Sequence, residues 1–146
     1  MCGIAGFLDL KQRFSQQQAA GLVRGMADRV THRGPDAGGD WTDATAGIAL
    51  GHRRLSIVDL STAGAQPMVS ASGRSVLCYN GEVYNPEELR PELEARRIRF
   101  RGHSDTEVIL EAFEAWGVVD TAKRLIGMFA LALYDTQRRR LLLARC

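Results

Sequence analysis

Met1-Cys2-Gly3-Ile4-Ala5-Gly6-Phe7-Leu8-Asp9 opens the chain. Positions 3–8 are nearly all apolar, where a half-exposed strand would alternate, so they read as a short buried strand. The far end repeats the signal. Met128-Phe129-Ala130-Leu131-Ala132-Leu133-Tyr134 and Leu141-Leu142-Leu143-Ala144 flank a polar stretch at 136–139, the pattern of a hairpin. Strands covered on both faces belong to interior layers, which predicts a layered α+β protein. The sequence ends on Leu143-Ala144-Arg145-Cys146 with no polar tail after a strongly apolar strand, and we expect a C-terminally truncated domain.

Between these ends the elements are predicted from periodicity and caps. Ser15 is placed to cap a helix running to about Val30, with Ala19, Leu22, Val23, Met26 and Ala27 on its apolar face. Thr31-His32-Arg33-Gly34-Pro35-Asp36-Ala37-Gly38-Gly39 is too rich in Gly and Pro for regular structure and reads as a loop. Strands are expected at 46–50, 55–58 and 75–79, with a turn region at 61–64. Asn85-Pro86-Glu87-Glu88 starts a helix that Pro91 should kink or restart. Ser104-Asp105-Thr106-Glu107 has capping-box spacing, and Val108, Ile109, Ala112, Phe113 and Trp116 form a stripe that stops at Gly117. A short helix is expected at 121–125.

Composition excludes several functions. The chain has 146 residues, enough for one domain with a real core, and a net charge of only +2 from 19 basic and 17 acidic residues. Its one basic block, Arg138-Arg139-Arg140, falls where a turn is expected, so there is no nucleic-acid footprint. No apolar run is long enough for a membrane span, and the N-terminus lacks the basic start of a secretory signal. Three widely spaced cysteines fit neither a disulfide framework nor a zinc site. A cytoplasmic location is expected.

Cys2 is the sharpest chemical feature. With Met1 removed, its thiol and its own α-amine share one residue. An α-amine has a pKa of ~7.7–8.0, so it is partly neutral and able to take the thiol proton. Taken alone, a Cys at position 2 means little. The residues that follow add weight: His32-Arg33-Gly34-Pro35-Asp36, His52-Arg53-Arg54-Leu55-Ser56-Ile57-Val58-Asp59, Gly64-Ala65-Gln66-Pro67-Met68, Tyr79-Asn80-Gly81-Glu82-Val83-Tyr84-Asn85, His103-Ser104-Asp105-Thr106-Glu107-Val108-Ile109-Leu110 and Gly127-Met128-Phe129-Ala130-Leu131-Ala132-Leu133-Tyr134-Asp135. With the opening Met1-Cys2-Gly3-Ile4-Ala5-Gly6-Phe7, these resemble, in order and over nearly the whole chain, the class II glutamine amidotransferase domain of the glutamine-hydrolysing asparagine synthetase family. Relatives that make glucosamine phosphate or phosphoribosylamine share Cys2 but differ at Arg33-Gly34-Pro35-Asp36 and Arg54-Leu55-Ser56-Ile57-Val58-Asp59.

The resemblance implies a four-layer αββα N-terminal-nucleophile hydrolase sandwich, here lacking its last strands, with residues 1–146 as one amidotransferase domain. It implies that Cys2 is the nucleophile and that Asn80 and Gly81 form an oxyanion hole. Glutamine would be bound by Arg54, by backbone groups of Leu55, Ser56, Ile57 and Val58, by Asn80, Gly81 and Glu82, and by Asp105. Each position also has a plainer reading. Asn80-Gly81 after a strand is a strong hairpin signal, and pattern alone favours that turn. Asp105 suits the first turn of a helix, a placement worth ~0.3–1 kcal/mol. Arg54 could be a solvated strand arginine. Arg53 should face the other way and is given no role. His32, His52 and His103 read as core or loop residues and not as metal ligands, and Cys78 as a buried, inert thiol.

The implied partners are L-glutamine and, in intact relatives, a synthetase domain; no nucleic acid or membrane is implied, and a homodimer is left open. The glutaminase step needs no cofactor and no metal. ATP and Mg are expected only for the synthetase domain, whose Ser-Gly-Gly-x-Asp-Ser loop does not occur in these residues. A non-catalytic domain that senses glutamine or binds a partner is the alternative. The retained set Cys2, Arg54, Asn80, Gly81 and Asp105 argues against it.

Overall fold

The computed structural model describes residues 2–56 and 62–146. Two antiparallel sheets form the middle of the molecule. The first has the order β1-β3-β2, built from β1 (Gly3–Leu8), β2 (Ala37–Asp43) and β3 (Ile48–Arg54). The second has the order β4-β5-β6-β7, from β4 (Met68–Val69), β5 (Ser75–Val83), β6 (Gly127–Asp135) and β7 (Arg140–Arg145). Helix α1 (Gln16–Asp28) covers the first sheet, and α3 (Asp105–Trp116) covers the second, flanked by α2 (Pro86–Ala95) and α4 (Val118–Arg124). The layers are therefore α, β, β, α, as expected.

Alternation along β3 and β5 builds the interior. Ile48 and Leu50 meet Val76, Cys78, Ala132 and Tyr134 between the sheets. The opposite face of the second sheet gives Leu77, Tyr79, Leu131 and Leu133 to Ile109, Leu110 and Phe113 of α3. A third cluster locks α2 to α3 through Leu89, Leu93, Val108 and Ala112. Burial on this scale is the main force holding the four layers together.

The caps behave as the sequence predicts, with informative exceptions. Ser15 and Gln18 form a reciprocal capping box at the start of α1. That helix buries Ala19, Val23 and Ala27, however, while Leu22 and Met26 of the expected face are 45% and 38% exposed. The reason is close approach: Gly51 of β3 lies directly under Val23 and Ala27, so small side chains define the contact line. At α3, Ser104 accepts from the Thr106 N–H, but Glu107 does not complete a capping box. It is buried and takes the N–H groups of Arg101 and Gly102 instead, tying down the preceding loop.

Several sequence expectations are corrected. The Gly-rich loop ends early, because residues from Ala37 pair with β3 as β2. Gly39 suits that strand, since a Cβ there would stand 2.3 Å from the Gln66 carbonyl oxygen. The strand expected at 46–50 is displaced to β3, which runs on to Arg54; of the strand expected at 55–58, Leu55 and Ser56 are irregular backbone, and Ile57 and Val58 lie outside the described residues. Pro91 does not restart the helix: α2 is one continuous helix past it, with Leu89 and Leu93 buried on either side. The terminal strands are not covered on both faces: Leu8 is 47% and Leu143 71% exposed. Asn80-Gly81 makes no hairpin, because β5 continues through it paired to β6 as Asn80↔Ala130 and Gly81↔Phe129. The closing hairpin of β6 and β7 stands where it is expected.

Candidate active site

The register of the first sheet sets the centre of the site. β1 begins with Gly3 opposite Arg53 of β3, so Cys2 lies one step beyond, beside the end of that strand. The Leu55 N–H donates to Cys2 Sγ at 3.4 Å, and Sγ lies 3.8 Å from the Leu55 carbonyl oxygen. Arg33 Nε donates to the Cys2 carbonyl at 3.1 Å. The segment after β3 is held as well: Arg54 O accepts from the Asp36 N–H, and Asp36 Oδ2 accepts from the Ser56 N–H at 2.7 Å. Gly34 lets the loop before β2 lie against the end of β3, since a Cβ there would fall 2.3 Å from the Arg53 carbonyl oxygen. The Arg33-Gly34-Pro35-Asp36 motif is thus a brace around the cysteine.

Cys2 opens onto a cleft of about 300 Å³ that is also lined by Arg54, Leu55, Asn80, Gly81, Glu82 and Asp105. Of the described residues expected to bind glutamine, only Ser56 is not among its walls. Ser56 stays beside it on Asp36, while Ile57 and Val58 lie outside the described residues. Strand alternation explains the convergence. Arg54 shares the inner face of β3 with Ile48 and Leu50, and Asn80 shares the inner face of β5 with Val76 and Cys78. Arg53 takes the opposite face, with Nε on the Gly34 carbonyl and Nη1 3.5 Å from Asp28. Gly64 packs so closely on Arg54 that a Cβ would stand 2.3 Å from Nη2.

The far wall is organised by Tyr79. Its side chain points toward α3, where the hydroxyl donates to Asp105 Oδ2 at 2.9 Å. Burial first, then the Asp105 charge, pushes the phenol well above its usual range, so it stays a donor. Its N–H donates to Gln66 Oε1 at 2.6 Å, and its carbonyl faces His52 Nε2 at 3.1 Å. His52 is buried, and that burial pushes its pKa down to about 4, leaving a neutral ring that donates to Tyr79. His52 is therefore a core residue, and His32 and His103 are exposed. Cys78 is buried in the inter-sheet core, which pushes its thiol up to about 12.

Gln66, Tyr79, Ser104, Thr106 and Met128 also line the cleft, and sequence reasoning gave none of them a role. Gln66 and Thr106 stand inside motifs already singled out, but only the tertiary arrangement shows that their side chains meet. Among the described residues, no group of three or more His, Cys, Asp or Glu side chains is arranged to hold a metal ion, and no helix is long and apolar enough to cross a membrane.

Comparison with known proteins fits this arrangement. Residues 1–146 match the family described as a glutamine amidotransferase domain. The chain is 39% identical over 147 residues to asparagine synthetase (glutamine-hydrolyzing) 3 of Bacillus subtilis, covering 99% of this chain and 23% of that protein. It is 39% identical over 145 residues to asparagine synthetase B (glutamine-hydrolyzing) of Escherichia coli, covering 99% and 25%. Amidase chry2 of Gibberella zeae is 34% identical over 158 residues, covering 99% and 22%. The chain thus spans a quarter or less of the length of these relatives. Among solved structures, the glutamine phosphoribosylpyrophosphate amidotransferase from B. subtilis superposes with a TM-score of 0.71 at 20% identity, covering 99% of this chain and 36% of that one, which shows a shared fold. From sandwich, cleft and full-length match together, the chain belongs to the glutamine amidotransferase domain family.

Proposed function

We propose that this domain hydrolyses the side-chain amide of L-glutamine, with Cys2 as nucleophile and its own α-amine, freed by loss of Met1, as the base. The observation that carries the reading is the meeting of Cys2, Arg54, Asn80, Gly81 and Asp105 around one cleft. Arg54 binds the substrate α-carboxylate through its planar fork, and Asp105 binds the α-ammonium. This anchors the amino-acid end and leaves the side-chain amide at the sulfur. Effective positioning of this kind is a large part of a hydrolase's rate. Glu82 stands beside the substrate and outside the bond-making atoms.

The α-amine takes the Cys2 thiol proton as Sγ bonds to the amide carbon. The amide oxygen becomes an oxyanion, held by the Asn80 side-chain amide and the Gly81 N–H, donors worth ~3–4 kcal/mol each in a transition state. The carbon–nitrogen bond then breaks, the α-ammonium returns its proton to nitrogen, and ammonia leaves a glutamyl thioester. Water, deprotonated by the same amine, attacks the thioester and releases glutamate and the free thiol. In a longer protein the ammonia would pass to a synthetase domain that uses ATP and Mg²⁺ to form an amide. We place the reaction in the cytoplasm. The residues of this domain take no part in holding the nucleotide.

The test is glutamate and ammonia release by the processed protein, with N-terminal sequencing to establish that Cys2 is the first residue. Cys2→Ala is expected to abolish release, and diazo-oxo-norleucine is expected to add one label at Cys2. Release at the wild-type rate from Cys2→Ala would sink the reading.

A further inference from the structure

Strand β4 is only two residues long, paired as Met68↔Leu77 and Val69↔Val76. Carrying that register two residues back sets Gln66 opposite Tyr79, yet the backbone has already left the sheet. A side chain takes the place of the ladder. Gln66 Oε1 accepts from the Tyr79 N–H at 2.6 Å, and Nε2 donates to Thr106 Oγ1 at 3.3 Å. Gln66 is 8% exposed, so both ends of its amide are engaged within the protein at the wall of the cleft. Its main chain is seated against Gly39 of β2, where any side chain would collide with the Gln66 carbonyl.

Residues two apart on an antiparallel strand turn their backbone groups to the same edge. Tyr79 and Gly81 therefore address the same edge of β5, and His52 and Gln66 satisfy it at Tyr79 alone. Residue 64, next in register for Gly81, packs on Arg54. We propose that Gln66 is a positioning residue. It ends the β4 ladder with a side chain, which fixes Tyr79 and leaves the edge at Gly81 open to the substrate oxygen. Through Thr106, the neighbour of Asp105 in the first turn of α3, it also sets the spacing between the oxyanion donors and the ammonium-binding carboxylate. This inference rests on the glutaminase reading of the cleft.

The experiment compares Gln66→Met, of similar volume but without either amide group, with Thr106→Val, Thr106→Ser and the double variant Gln66→Met/Thr106→Val. Glutamine hydrolysis is measured per active site, with sites counted by diazo-oxo-norleucine incorporation in intact-mass spectra. Gln66→Met is expected to lower kcat per labelled site by about tenfold, an effect that loss of folded protein alone does not produce. Thr106→Val should raise KM for glutamine, Thr106→Ser should restore it, and the double variant should fall short of the product of the single effects. Wild-type kcat per labelled site in Gln66→Met overturns the proposal. If Gln66→Met yields no labelled sites, an unchanged KM in Thr106→Val overturns it. Wild-type protein without Cys2-dependent release overturns the glutaminase reading, and the inference with it.

Discussion

The Tyr79 hydroxyl donates to Asp105 Oδ2 at 2.9 Å and leaves Oδ1 on the Thr106 N–H, so one strand residue and one helix start share the orientation of a single carboxylate. A carboxylate held at a helix N-terminus is also favoured by the helix dipole, and the structural and ligand roles of Asp105 are compatible. Tyr79→Phe removes one of these donors and leaves the ring packing intact. A hydrogen bond to a charged group is worth ~1.5–3 kcal/mol, so KM for glutamine should rise about tenfold or more while kcat stays within about twofold. Steady-state kinetics at saturating and limiting glutamine separate the two.

Gly81 tests the oxyanion wall. Its φ is 156°, and a Cβ would stand 2.3 Å from the Met128 carbonyl oxygen and 2.5 Å from Phe129 Cα. Those are backbone atoms of the neighbouring strand, which cannot yield as a side chain does. Gly81→Ala should push β5 away from β6, costing on the order of 2 kcal/mol or more in stability and most of the turnover. Urea titration and glutamine hydrolysis measured on the same preparation give both numbers.

What the sequence showed of these features depended on whether the deciding partner was near in the chain. Ser15 and Ser104 cap the helices that follow them directly and were legible as caps, whereas Glu107, read by its spacing as the box partner of Ser104, turns to the N–H groups of Arg101 and Gly102. Cys2, Arg54, Asn80 and Asp105 were legible as a set through the family resemblance, whereas no local pattern joins them. Asn80-Gly81 misled as a hairpin signal because β6, more than forty residues on, supplies the partner that carries β5 straight through. Likewise β2 was hidden by its glycines, whose purpose shows only once Gln66 is seen packed against Gly39. The apolar face of α1 was misread for the same reason: Gly51, on a distant strand, selects Val23 and Ala27 over Leu22 and Met26.

The three cysteines should separate by reactivity. Burial pushes the Cys78 thiol up to about 12, while Cys146 is exposed and Cys2 lines the cleft. Iodoacetamide at pH 8 on folded protein should modify Cys146 and Cys2 and spare Cys78, because the thiolate is the reacting form. Peptide mapping after labelling, with and without urea, checks this; Cys78 modified as fast as Cys146 in the folded state would contradict it.

His52 should give the fold a specific acid sensitivity. Burial lowers its pKa from 6.5 to about 4, against the Tyr79 carbonyl, which favours the proton, and with the Arg54 charge, which opposes it. The unfolded chain therefore binds this proton first as pH falls. The stability His52 supports is complete above about pH 6.5, declines from there, and is gone below about pH 4, a total of order 3 kcal/mol. His52→Gln keeps a donor near Tyr79 without the titration. Its stability gap from wild type should narrow between pH 7 and pH 4.5 in urea denaturation.

Gly64 offers a way to disturb substrate anchoring without disturbing the nucleophile. A Cβ at this position would stand 2.3 Å from Arg54 Nη2 and 3.0 Å from Cζ. The obstacle is the far end of a long side chain, so Gly64→Ala can be accommodated by moving the guanidinium, and the fold should survive with a stability change within about 1 kcal/mol. The cost falls on function, because a two-pronged guanidinium–carboxylate contact depends on geometry as much as on charge. KM for glutamine should rise by about tenfold, while the rate of Cys2 alkylation by iodoacetamide, which makes no use of Arg54, stays as in wild type. A variant with normal KM would mean that the Arg54 fork does not grip the substrate where Gly64 now holds it.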